Sequence, residues 1–196
     1  MNLRNYDNVI AAKQLIAVHN TYISQGEHNN FGDGHLTFKD KGANIRKISY
    51  CCGSSGYEGM RLPFSDSGYV GSGLICGSGD TPVTYDDYKL ATEFTSNDIS
   101  IVSIKYSDTT YDEATNSFKR TETKIFAAKQ DLIIKEIGFS SGVYSNSSLY
   151  ETLMFRKVLD EPISVQANSN FELTFTTTVS ACANKPAEYE ASVTTA

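Results

Sequence analysis

The run 131–179 (DLIIKEIGFSSGVYSNSSLYETLMFRKVLDEPISVQANSNFELTFTTTV) constrains this chain most. Near its end Phe171, Leu173, Phe175 and Thr177 alternate with Glu172, Thr174 and Thr176. A period of two sends successive side chains to opposite faces, so this segment reads as a half-buried β-strand. Leu153, Phe155, Val158 and Leu159 carry a strand before it. In the first strand Ile133, Ile137 and Phe139 share one side, interrupted by Lys135, and Leu132, Ile134, Glu136 and Gly138 share the other. Strands that follow one another with no helix between them pair antiparallel and stack into a sandwich or barrel.

The upstream chain extends the pattern. Ile99 and Ile101 alternate, and then the phase shifts to Val102, Ile104 and Tyr106, which implies a bulge or a strand buried on both faces. Residues 118–128 carry Lys119, Arg120, Glu122 and Lys124 before Ile125 and Phe126, so the first half is expected in solvent and the second in the core. Strands are also expected at residues 35–38, 45–50 and 69–76, separated by Gly- and Pro-containing loops at 53–68 and 77–90. Residues 5–23 hold the best helical pattern: Tyr6, Val9, Ile10, Lys13, Ile16 and Ala17 fall on one face, with Asn5 as a cap. Such a helix packs on its own sheet or docks on a neighbouring subunit. The end of the chain, from Ala183, has no periodicity and reads as flexible or as an arm. The expected fold is all-β: an antiparallel, jelly-roll-like β-sandwich over 45–182, with a helical arm and linker over 1–44 and a flexible C-terminal tail over 183–196.

A chain of 196 residues suits one domain with an extension. At this size roughly 70% of the unfolded surface is buried on folding, so no staples are required. The net charge of −6 argues against sequence-independent nucleic-acid binding, which needs a basic footprint. No stretch of about 18 apolar residues suggests a membrane helix. The N-terminal residues lack the apolar core of a signal peptide, so the protein is expected to be made and kept in a cytoplasm, or released by a route that does not read a signal peptide. The four cysteines, Cys51, Cys52, Cys76 and Cys182, form no C-x-x-C pair and read as small buried hydrophobes; a Cys52–Cys76 disulfide stays open.

Patterns that invite chemistry each have a plainer account. Gly71-Ser72-Gly73 and Gly77-Ser78-Gly79 lack the Lys-Ser/Thr and the following helix of a phosphate loop. Glu27, His28, Asp33 and His35 are close in sequence but have no metal-ligand spacing, and His19 stands apart. The acidic pairs Asp86-Asp87 and Asp112-Glu113 are adjacent, whereas a glycosidase needs carboxylates facing across a cleft. The loop 108–116 resembles a calcium loop in composition only. No catalytic residues, metal or cofactor are expected, and the protein is not expected to be an enzyme. Aromatic side chains on loops remain: Tyr57, Phe64, Tyr85, Tyr88, Tyr111, Tyr144 and Tyr150. They suit partner pockets or sugar stacking. Tyr57, Phe64, Tyr85, Asp86, Asp87 and Tyr88 are the candidate subunit-contact or ligand residues.

Three groups of segments carry a resemblance. One is Arg4-Asn5-Tyr6-Asp7-Asn8 with Phe31-Gly32-Asp33-Gly34-His35-Leu36. The second is Val70-Gly71-Ser72-Gly73 with the run 79–90, GDTPVTYDDYKL. The third is Ile134-Lys135-Glu136-Ile137-Gly138-Phe139 with the runs 156–165 and 171–176. Together they resemble small β-sandwich components of tailed-bacteriophage virions, found in tails, necks and appendages. The resemblance implies a structural role in the virion, many copies, contacts with other virion proteins, and production in a bacterial host cytoplasm. It supplies no catalytic residues. The competing expectation is a receptor- or carbohydrate-binding module of a fibre, with a host-surface glycan as ligand and its loop aromatics clustered at one end.

Overall fold

The computed structural model describes residues 34–50, 70–71, 73–107, 109–145, 148–180 and 188–195. The expected helix over 5–23, the loop 53–68, Tyr57 and Phe64 lie outside them.

Among the described residues the chain is all-β. Its strands are β1 (Gly34–Lys39), β2 (Ile45–Tyr50), β3 (Gly73–Gly77), β4 (Ile99–Tyr106) and β5 (Thr110–Asp112). They continue with β6 (Ser117–Ala128), β7 (Leu132–Ser145), β8 (Ser148–Val165), β9 (Asn170–Ser180) and β10 (Glu188–Thr195). Every ladder is antiparallel. β1 and β2 form a hairpin, β3-β7-β8 form a second sheet, and β10-β9-β6-β4 form a third with β5 alongside β6.

The two larger sheets share one apolar cluster. Leu74, Ile137, Phe139 and Phe155 from one meet Phe126, Phe171, Leu173 and Phe175 from the other. Ring pairs tie them: Phe139 lies 4.9 Å from Phe175, and Phe155 lies 5.2 Å from it edge-on. Each such pair contributes roughly 0.5–1.5 kcal/mol beyond its buried area.

Four expectations change. The β7–β8 ladder is irregular between Ile134 and Glu136, where one residue of β7 faces residues 159–162 of β8, and the inward face of β7 passes from Leu132 and Ile134 to Ile137 and Phe139. A phase shift of one residue exchanges the two faces of a strand. Ile133 is therefore left outside the core and exposed. In β6 the expected solvated half is also partly enclosed: Glu122 and Lys124 are both buried, on the same alternation as Phe126. Residues 188–195, expected in a flexible tail, form β10 in register with β9 from Glu188↔Thr178 to Thr195↔Phe171. Alternating Tyr189, Ala191 and Val193 give β10 a face that packs on the cluster. The hairpin β1–β2 also runs across residue 44, the expected boundary between the arm with its linker and the β domain. The expected shift in β4 is a bulge between Ile101 and Ser103.

Candidate functional site

The densest polar cluster in the described residues lies on the face of β7 and β8 that points away from the shared core. Glu136 is fully buried there, and Arg156, two ladder steps away, is 2% exposed. An isolated buried charge is very costly, so each must be paired and hydrogen-bonded. Arg156 Nε donates to Glu136 Oε2 at 2.8 Å, Nη1 donates to Asp87 Oδ2 at 2.7 Å, and Nη2 donates to the Thr81 carbonyl at 3.1 Å. Glu136 also accepts the backbone N–H groups of Gly79 (3.1 Å), Ala91 (3.2 Å) and Thr92 (2.8 Å). The carboxylate thus takes four hydrogen bonds and fastens the segment 77–94 to the sheet.

This clamp explains the glycines of Gly77-Ser78-Gly79. A Cβ at Gly77 would stand 2.0 Å from the Thr92 carbonyl oxygen, and one at Gly79 would stand 2.4 Å from Glu136 Oε1. They permit close approach of two backbone segments. Ile75, Leu90 and Leu153 form a small apolar cluster under the same segment. The central sheet is therefore covered on both faces.

The clamp also accounts for the candidate loop residues. Burial pushes the Asp87 carboxyl up, but hydrogen bonds from Thr84 and Arg156, and the charge of Arg156, outweigh it and hold the group below the usual carboxylate range. Burial pulls the Arg156 guanidinium down, and Asp87 and Glu136 more than offset this, so it stays above its ordinary value. Asp87 is thus a structural ion-pair member. Tyr88 has Lys39 Nζ 4.0 Å from its ring centroid and Lys89 Nζ at 5.9 Å. Tyr85 is 42% exposed, and Asp86 is exposed beside it. Of the four described candidates, Tyr85 and Asp86 present themselves outward, whereas Asp87 and Tyr88 face the protein.

A second charged group joins the hairpin to the body. Lys41 Nζ donates to the Gly71 carbonyl at 2.7 Å and to both Glu93 oxygens at 3.0 Å, with Glu151 Oε2 at 3.8 Å. Burial raises the Glu151 carboxyl, Lys41 lowers it, Glu93 raises it, and the balance is upward. Nearby, Arg46 stacks 4.4 Å over Tyr150. Beside Glu93 an open groove of about 610 Å³ runs between Val70, Phe94, Ile99 and Ile101.

Other expected features resolve locally. Asp112 accepts the Ala114 N–H at 2.9 Å and the Thr115 hydroxyl at 2.8 Å, which closes its own turn. Cys76 is buried, and burial pushes its thiol strongly up, which keeps it protonated. His35 lies on β1; His19 and His28 lie outside the described residues.

Sequence reasoning missed Glu136, Arg156 and Lys41. A signal for two of them was present, because Glu136 and Arg156 each interrupt an apolar run. What could not be read was their partnership, with each other and with a loop more than forty residues upstream.

The exposed apolar surface is uneven. Of the seven exposed large hydrophobics among the described residues, four (Val102, Tyr106, Tyr111 and Phe118) lie on β4, β5 and the part of β6 paired with β5. Tyr111 and Phe118 are cross-strand neighbours with ring centroids 5.0 Å apart, and Arg120 sits 5.4 Å over Tyr106. Comparison with protein-family models, with curated proteins and with solved structures finds no match for this chain.

Proposed function

We propose that the protein is a non-enzymatic structural subunit that works in multiple copies, with its two larger sheets as the layers of a β-sandwich. A bacteriophage virion, in the tail, neck ring or an attached appendage, is the setting proposed for it. The observation that carries the structural role is the concentration of exposed Val102, Tyr106, Tyr111 and Phe118 along one side of β6. Apolar and aromatic residues gathered on one edge suit protein–protein contact, because such rings bury large areas at low entropic cost. The clamp on 77–94 supports the same role, since it stiffens the segment that presents Tyr85. The virion setting rests on the sequence resemblance.

The alternative is a receptor- or carbohydrate-binding module. It would gather its loop aromatics at one end. Of the described ones, Tyr88 and Tyr150 each have a basic side chain over the ring, Tyr85 is exposed on the same segment as Tyr88, and Tyr111 lies on another sheet against Phe118. That division favours the structural role. The test is the mass of the purified protein by light scattering across a concentration series, with a glycan screen in parallel. Association beyond the monomer supports the subunit role. A strict monomer overturns it, and a monomer that binds a glycan favours the alternative.

A further inference from the structure

We propose that the large sheet continues from one copy of the chain into the next, with β4 of one copy pairing antiparallel with β10 of its partner. This rests on the multi-copy role proposed above and names the surface that would build it.

The topology supplies the first reason. Among the described residues β10-β9-β6-β4 places β4 and β10 at the two ends of the path, and each ladder between them is antiparallel. Three reversals leave the end strands running in opposite directions. A second copy in the same orientation therefore offers β10 antiparallel to β4, and the ladder pattern is unbroken. Both end strands are eight residues long.

The residue rows supply the second reason. Lys105 pairs with Thr123, Thr123 with Thr174, and Thr174 with Ser192. Ile104 shares a row with Lys124, Leu173 and Val193, and Tyr106 shares one with Glu122, Phe175 and Ala191. Continuing these rows sets Ile104 beside the partner's Val193 and Tyr106 beside the partner's Ala191 on the apolar face. On the other face it sets Lys105 beside the partner's Ser192, with the partner's Glu190 on the diagonal. Diagonal neighbours across a ladder lie within reach of long side chains.

Charge supplies the third reason. Exposed Lys105 stands on β4 and exposed Glu190 stands on β10, on the diagonal of the proposed run. Lys119 on β6, Glu188, Asp112 and Glu113 all lie beyond that run. The bulge after Ile101 limits that run to residues 103–106. On β10 the Ala191 carbonyl accepts Lys157 Nζ at 3.2 Å, so this exposed lysine lies across the edge and must swing aside. A lysine across an edge is a common guard against indiscriminate pairing. The contact is heterologous, and such contacts close into rings or run on as filaments, according to the rotation between copies.

The test uses the full chain in light scattering over a concentration series, with the variants Lys105→Glu, Glu190→Lys and the double exchange. Circular dichroism melts check that each folds. Each single reversal is expected to weaken association roughly fivefold or more, since an opposite-charge pair becomes a like-charge pair. The double exchange is expected to restore it, and Lys157→Ala to strengthen it. A closed mass or an open size series both support the proposal if they respond in this way. An oligomer indifferent to all four variants overturns the edge pairing and leaves the multi-copy role standing. A wild-type chain that stays monomeric throughout overturns both.

Discussion

Arg156 shows how a single side chain organises its surroundings. Its guanidinium reaches Glu136, Asp87 and Thr81 at once, and little of it touches water. Arg156→Met is expected to cost about 3–5 kcal/mol in urea unfolding, because it leaves Glu136 buried without its cation. Asp87→Asn is expected to cost less, roughly 1–3 kcal/mol, since Asp87 is the more exposed partner. The two carboxylates with opposite shifts give opposite pH signatures. Asp87 titrates lower when folded, so its contribution is present above the unfolded value of 3.8 and is lost as pH falls through the folded one. Asp87→Asn should remove that part of the acid sensitivity, visible as a shallower fall in melting temperature below about pH 4. Glu151 titrates higher when folded, so its contribution is present below the unfolded value of 4.5 and is lost as pH rises through the folded one. Glu151→Gln should therefore gain stability relative to the wild type as pH rises from acid to neutral. A difference in melting temperature that stays flat between these limits would contradict the assigned cause.

At the scale of elements, the legibility of the chain follows the strength of its alternation. β9 is regular from Phe171 to Thr177, and its faces are the ones that the period-two pattern implies. β2 has the bounds expected from IRKISY. β7 was recognisable as a strand but not in its facing. In LIIKEIGF one phase turns Ile133, Ile137 and Phe139 inward and the other turns Leu132 and Ile134 inward, and the choice depends on where the ladder breaks register. The irregular stretch of the β7–β8 ladder around Lys135 satisfies the core with both apolar pairs and delivers Glu136 to Arg156. The candidate residues were legible only as a loop of the right composition. That Asp87 and Tyr88 turn inward depends on side chains distant in sequence, Arg156 and Lys39, which no local pattern contains. Gly77→Ala tests the close approach that fixes this loop, and its cost should exceed the typical 1–3 kcal/mol of an overpacked site, because the obstructing atom is backbone.

For the whole molecule, β10 changes the meaning of the chain's last residues. Tyr189 stacks 5.6 Å from Phe175, which itself contacts Phe139 and Phe155, so the last strand reaches the ring cluster shared by the two larger sheets. A chain ending at residue 187 should lose Ala191 and Val193 from that cluster and leave the long β9 edge open. Gel filtration should then show aggregation in place of the native species. Glu136 has a further consequence for how the molecule opens. The amides of Gly79, Ala91 and Thr92 all end on its single carboxyl group. In deuterated solvent those three protons, separated along the chain, should be released together, at one rate that matches the slowest amides of the strand beneath them.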